Sequence, residues 1–203
     1  MPATDPRPAG LVLAGGRGRR LGRGKAGVEL GGLTLLARAL AALTPHTRAR
    51  WVAAPRGMTL PAGDYARADD LVEDGGPLAG LCAGLAAAGP GDVLVLGVDH
   101  ALAVPALLGL LARRPPPGRP MVPEVGGRLQ PLVARYPAAA EASLRVALSS
   151  GRRALVEAVA ALDPERVPES ELRGADPDLV SFVDVDTPED LERARSRIEG
   201  APR

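Results

Sequence analysis

The sequence predicts an α/β protein: a mostly parallel, doubly wound sheet with helices packed on its faces. Three observations predict it. Short apolar runs alternate with stretches of helical spacing along almost the whole chain, the pattern of repeated strand–helix–strand units. The first run, Gly10-Leu11-Val12-Leu13-Ala14, passes straight into glycines, as a buried parallel strand does where it opens into a loop. The clearest run, Asp92 to Asp99, ends on a carboxylate.

Each element follows in order. After the first strand, apolar residues at positions 33, 35, 36, 39, 40 and 43 keep helical spacing until Pro45 ends the helix. Trp51 to Ala54 predicts a second strand and Leu71-Val72 a short third one. Leu78 to Ala88 predicts a helix with Pro77 near its first turn. The strand from Asp92 to Asp99 follows, then a helix from Pro105 to Arg113, broken by Arg114-Pro115-Pro116-Pro117-Gly118. Met121 to Val125, Gly126-Gly127 and Leu129 to Tyr136 read as strand, turn and strand. Helices are expected over Ala138 to Leu148 and Arg153 to Leu162, and an irregular charged stretch over Pro164 to Asp178. Val180 to Val185 reads as a last strand. Thr187, Pro188 and Asp190 then supply the N-cap, first position and capping-box residue of a final helix. The expected organisation is a flexible N-terminus over residues 1–9 and one domain over 10–199.

Composition limits the function classes. The 203 residues are 46% hydrophobic but only 2% aromatic, so the core must be Leu, Val and Ala. Basic and acidic residues nearly balance, 25 against 24, and aromatic side chains for base stacking are scarce; no nucleic-acid partner is expected. Cys82 is the single cysteine, which excludes an internal disulfide and a multi-cysteine metal site, and its apolar helix face predicts a core residue. No apolar run approaches about 18 residues, and Met1 to Pro8 lacks a signal-peptide core, so no membrane association and a cytoplasmic location are expected.

Lys25 is the only lysine, in a chain that otherwise uses arginine for its basic residues. It closes a glycine-rich stretch, Leu13-Ala14-Gly15-Gly16-Arg17-Gly18-Arg19-Arg20-Leu21-Gly22-Arg23-Gly24-Lys25. A compact ammonium beside exposed backbone N–H groups suits phosphate binding. The stretch is not a Walker A loop: Arg19 stands where that pattern needs glycine and Ala26 where it needs Ser or Thr. It also fails the dinucleotide fingerprint, because Leu21 holds the third glycine position. What remains is a cradle of backbone donors, helped by arginine and finished by lysine. In a doubly wound sheet ligands bind beyond the carboxyl ends of the strands, where the glycine-rich loop, Asp74 to Gly80 and Asp99 all fall. Asp99, at a strand end, suits a metal ion that bridges phosphate oxygens. Asp184 and Asp186 would share a strand face and offer further carboxylates, although capping the last helix is the simpler role for them. His100 is expected to be a polar loop residue, and the two histidines predict no metal cluster.

These residues resemble the molybdenum cofactor guanylyltransferases of the MobA type. Leu13 to Lys25 is similar to the family's signature loop, Leu-Ala-Gly-Gly, a basic Arg-Arg-Met-Gly segment, then Asp-Lys. Further matches keep the family's order: Glu73-Asp74 with Gly76-Pro77-Leu78-Ala79-Gly80; the strand ending at Asp99; Gln130-Pro131-Leu132 with Tyr136; Gly151-Arg152-Arg153; and Asp184 to Leu191. The resemblance spans about Gly10 to Arg195. It implies a Rossmann-like nucleotidyltransferase fold, a three-layer α/β/α sandwich. It also implies a Mg²⁺-dependent reaction in which the terminal phosphate of molybdopterin attacks the α-phosphate of GTP and pyrophosphate leaves. By position, Leu13, Ala14, Gly15 and Gly16 would lie along the nucleotide, Lys25 and Arg20 would meet the phosphates, and Asp74 would help hold the nucleotide. Asp99 would bind Mg²⁺ and touch GTP, and Gln130 and Pro131 would face the acceptor. Transient contact with a molybdoenzyme or a cofactor-delivery protein is a further implied partnership. Three departures stand out: Gly24 where the family has Asp, Ala53 where some members have Asn, and His100-Ala101-Leu102 where Thr-Pro is frequent. Asp184 and Asp186 replace Asn, as in the cytidylyltransferase relatives. Base choice therefore stays open between GTP and CTP. A phospho-acid guanylyltransferase and a non-catalytic nucleotide-binding homologue are the other readings.

Overall fold

The structure, a computed structural model, describes residues 5–15, 24–70, 72 and 75–200. Strand β1 (Ala9–Leu13) is buried along its whole length. A 3₁₀ turn at Lys25–Gly27 leads into a small hairpin, β2 (Glu29–Leu30) and β3 (Leu33–Thr34). Gly31 and Gly32 join its strands, both at positive φ, as a two-residue hairpin turn requires. Helix α1 (Leu35–Leu43) is capped by the Thr34 side chain, which accepts from Ala37 N–H. Then come β4 (Arg50–Ala54), β5 (Ala66–Asp69), α2 (Gly76–Ala88), β6 (Asp92–Gly97) and α3 (Pro105–Arg113). The second half adds β7 (Met121–Val125), β8 (Arg128–Leu129), β9 (Val133–Pro137), α4 (Ala140–Ser149), α5 (Leu155–Ala160), β10 (Glu165–Pro168), α6 (Glu169–Leu172) and α7 (Pro188–Glu199).

The main sheet runs β10-β7-β9-β6-β1-β4-β5, with β8 paired to β7. β1 is parallel to both β4 and β6, β4 is parallel to β5, and β9 runs antiparallel between β6 and β7. The chain steps outward from β1 through β4 to β5, crosses back, and lays β6 on the other side of β1. The gap between β1 and β6 is thus the topological switch point, the place where such sheets bind ligands.

Alternation along the central strands builds two cores. Val12, Leu94 and Leu96 face the layer of α1 and α3, while Leu11, Leu13, Val93 and Val95 face α2, α4 and α5. The result is the predicted three-layer α/β/α sandwich with a mostly parallel sheet. Cys82 lies fully buried in the second core, as its helix face predicts. No helix among the described residues is long and apolar enough to cross a membrane.

Three expectations need correction. The third strand lies at Ala66–Asp69, whose residues pair in register with Trp51 to Ala54 despite only one buried side chain, Ala68; of the expected Leu71-Val72 strand, Val72 lies in a bend and Leu71 is outside the described residues. The charged stretch after Pro164 is not irregular: β10 extends the sheet by pairing with β7, and α6 follows it. Val180 to Val185 is no strand; a 3₁₀ turn occupies Val180–Phe182. That turn is held by Asp176, whose carboxylate accepts from the N–H groups of Val180 and Ser181 at 3.1 and 2.8 Å.

Candidate active site

The carboxyl end of β1 is stitched to those of β6 and β4 beyond their regular pairing. Val98 N–H donates to Leu13 O at 3.1 Å, and Ala14 N–H donates to Ala53 O at 2.8 Å. Leu13 and Ala14 are buried, and Gly15 emerges half-buried at the switch point. A Cβ on Gly15 would stand 3.4 Å from the Pro55 ring and 3.5 Å from Asp70 Oδ2, so the chain passes close to the next strand end. Gly16, Arg20 and Asp74 lie outside the described residues.

Lys25 returns to this edge on its 3₁₀ turn. Buried Ala26 anchors the turn in the core, and Val28 N–H closes it on Lys25 O at 3.1 Å. The Lys25 ammonium donates to Asp99 Oδ2 at 3.0 Å and to Asp186. Burial works against the charged ammonium, but Asp99 and Asp186 outweigh it and hold its pKa above the ordinary lysine value. Residues 74 and 161 positions apart in the chain thus meet at one point. The preceding position has room for more than glycine: a Cβ at Gly24 would meet only the flexible end of Met58, at 2.7 Å from Cε, so the family's aspartate would require that methyl to move.

Asp99 follows β6, and its carbonyl accepts from Val185 N–H at 3.0 Å, which fastens the 184–186 segment beside it. The simpler role expected for Asp184 and Asp186 is not the one observed. Thr187 caps α7 and Asp190 completes the capping box, so both other carboxylates are released to the site. Asp186 reaches Lys25, and Asp184 lies beside His100. Partial burial, followed by the nearby charges of Asp99 and Asp186, pushes the Asp184 pKa up. His100 is a loop residue as expected, but a buried one, 3% exposed; and although the two histidines predicted no metal cluster, it offers with Asp99 and Asp184 three ligand atoms within 4.8 Å of one another. Three carboxylates against one ammonium are a donor set that fits a divalent cation.

Gln130 and Pro131 form a turn against the same edge. Gly97 N–H donates to Leu132 O at 2.8 Å, which joins the turn to the end of β6. The buried Tyr136 hydroxyl donates to Pro131 O at 2.8 Å and pins it from below. Pro131 is itself buried, so Gln130 is the residue of this pair with side-chain surface to offer.

Sequence reasoning missed Asp70. It stands directly after β5, and its N–H donates to Ala54 O at 3.0 Å. Its carboxylate lies against two glycines: a Cβ on Gly80 would be 3.3 Å from Oδ1, and one on Gly15 would be 3.5 Å from Oδ2. Oδ1 is buried without a hydrogen-bond partner among the described residues. Burial, aided by Asp69, raises this carboxyl to about 6. The signal was the pair Asp69-Asp70 at the end of a strand, lost because the strand was placed too late.

Comparison with known proteins agrees with this fold. The model of the MobA-like NTP transferase domain matches residues 10–165. A protein of Chloroflexus aggregans named "Probable molybdenum cofactor guanylyltransferase" is 36% identical over 193 residues, covering 91% of each chain. The crystal structure of molybdopterin-guanine dinucleotide biosynthesis protein A from Archaeoglobus fulgidus superposes with a TM-score of 0.78 at 26% identity, covering 95% of this chain and all of that one. A 2-C-methyl-D-erythritol 4-phosphate cytidylyltransferase of Deinococcus radiodurans is 54% identical over 66 residues, 32% of this chain and 28% of that protein. The chain belongs to the MobA-like NTP transferase family and is an enzyme of the nucleotidyltransferase type.

Proposed function

We propose that this enzyme transfers GMP from GTP to the terminal phosphate of molybdopterin, releasing pyrophosphate, in a Mg²⁺-dependent reaction. The observation that carries the reading is the convergence of Lys25 and Asp99, 3.0 Å apart, at the switch point of the sheet. The bond made joins a molybdopterin phosphate oxygen to the α-phosphorus of GTP, and the bond broken is the one to the bridging oxygen of pyrophosphate. Two polyanions must be brought together, so positive charge has to be fixed in place beforehand. Lys25 supplies a point charge on a short turn. Its present carboxylate partners hold the ammonium charged and aimed until phosphate oxygens compete for it. Asp99 would hold the Mg²⁺ ion, with Asp184 and Asp186 beside it; the bound ion would neutralise phosphate charge. The edge formed by Leu13, Ala14 and Gly15 borders the nucleotide, and Gly15 lets the phosphates approach the backbone. Asp70, a buried acceptor with an open valence, would take N–H donors of the guanine edge. Gln130 lies on the side where the molybdopterin phosphate would enter.

A second reading keeps the site and changes the base. Asp184 and Asp186 stand where guanylyltransferases of this type have asparagine, and a stretch of the chain is 54% identical to a cytidylyltransferase. Pyrophosphate release with molybdopterin, Mg²⁺ and either GTP or CTP decides between them. GTP-selective release supports the guanylyl reading and CTP-selective release replaces it. No release with either nucleotide, while wild-type protein still binds them, would reassign the chain as a nucleotide-binding homologue.

A further inference from the structure

One donor at the site has no part in the chemistry above. His100 is 3% exposed although it sits in the turn after β6. Its Nδ1 makes no hydrogen bond among the described residues; it faces Asp184 Oδ1 at 3.3 Å, off the line of a hydrogen bond. The backbone fixes this ring. His100 N–H donates to Gly97 O, and His100 O accepts from Ala103 N–H, each at 3.1 Å. Space for it depends on glycine at 97: a Cβ there would stand 2.8 Å from His100 Cδ2 and 2.6 Å from Asp99 Oδ1. Lys25 engages Asp99 through Oδ2, which leaves Oδ1 for another partner.

A buried nitrogen without a partner costs free energy, and a fold that keeps one aimed at carboxylates invites an explanation. One donor atom from each of Asp99, His100 and Asp184 lies within 4.8 Å of the other two. Around a small divalent ion with bonds near 2.1 Å, donors stand roughly 3 to 4.2 Å apart, so a shift below an ångström closes this set. Hard Mg²⁺ prefers an all-oxygen shell, whereas imidazole nitrogen suits transition ions. We infer that His100 Nδ1, Asp99 and Asp184 form a mixed nitrogen–oxygen site for a divalent transition cation of the manganese, cobalt or zinc class, with His100 as a direct ligand. This rests on the reading of Asp99 as the metal carboxylate and adds a nitrogen ligand and an ion preference to it.

Pulsed EPR of the full-length protein loaded with Mn²⁺ tests the inference. The spectrum should carry nitrogen hyperfine coupling that changes when histidine is isotope-labelled, and the coupling should survive His46→Gln. His100→Ala should abolish it and weaken Mn²⁺ binding by about tenfold or more while changing Mg²⁺ binding much less. Bound Mn²⁺ without histidine coupling, or Mn²⁺ binding no tighter than Mg²⁺, would overturn the site. Should His100→Ala fail to fold, the labelled wild-type spectrum decides alone. Histidine coupling without GMP transfer would remove the functional reading and leave the metal site; GMP transfer without coupling would remove the metal site only.

Discussion

At the scale of single residues, the lone lysine carries the clearest consequence. Lys25 reaches two carboxylates from a tight turn, with its side chain only 13% exposed. A guanidinium there would fork onto Asp99 and Asp186 and stay on them, because bidentate arginine–carboxylate pairs are stronger than those of a point charge. Lys25→Arg should therefore lower kcat/KM for GTP by at least about tenfold while leaving the melting temperature nearly unchanged; steady-state kinetics and a thermal scan check both. Asp70 gives a second prediction, with a sign set by its raised pKa of about 6. The folded state holds this proton more tightly than the unfolded chain does, so stability falls as pH rises from the ordinary carboxyl range through about 6. Asp70→Asn removes that loss: it should match wild type near pH 4 and melt higher near pH 7. The same variant should bind GTP more weakly at neutral pH, and wild-type GTP affinity should itself drop below about pH 6 as the acceptor is protonated. Lys25 and Asp99 were legible in the sequence because each has a local signature, a unique residue type after a glycine run and a carboxylate ending an apolar run. Asp70 and His100 were not, since what marks them is burial of a polar atom, which only packing reveals.

At the scale of elements, buried strands read well and exposed ones did not. β1 and β6 are covered on both faces and so spell continuous apolar runs. β5 and β10 each bury one residue of four, and their pairing with a neighbour, not their composition, makes them strands. The capping box of α7 was legible from Thr187 and Asp190, yet its consequence, the release of Asp184 and Asp186 to the site, needed the position of Lys25. Helix α2 shows how element spacing is set. A Cβ on Gly84 would fall 2.2 Å from Leu11 Cδ2, and Leu11 is fully buried in the central strand. Alanine favours a helix by about 1 kcal/mol over glycine. Overpacking a rigid core costs about 1–3 kcal/mol or more, and here the clash is with a side chain that has nowhere to go. Gly84→Ala should thus be destabilising on balance, lowering the melting temperature by a few degrees in a thermal scan; an unchanged or raised value would mean that α2 can lift from the sheet without cost.

At the scale of the whole molecule, the site exists only because the order of strand addition reverses between the parallel strands β1 and β6. Lys25, Asp99 and Asp186 come from the first quarter, the middle and the last helix's approach, and none is near another along the chain. A ligand bound among them ties these segments together, so binding should stabilise the fold as a unit. The charge of the cluster sets the condition. Among the described residues one ammonium stands against the carboxylates of Asp99, Asp184 and Asp186, a net negative cluster that opposes a triphosphate unless a divalent ion lies between them. GTP with chelator should consequently shift the melting temperature little. GTP with Mg²⁺ at about a hundred times its dissociation constant should stabilise by about 2.7 kcal/mol, a rise of roughly 5–10 °C for a chain of this size. Lys25→Ala at the same concentrations should lose much of that rise, because the nucleotide then lacks its one fixed lysine while the carboxylates remain. An equal rise with and without the divalent ion would show that the carboxylates do not face the phosphates, and the placement of the nucleotide at the switch point would have to be abandoned.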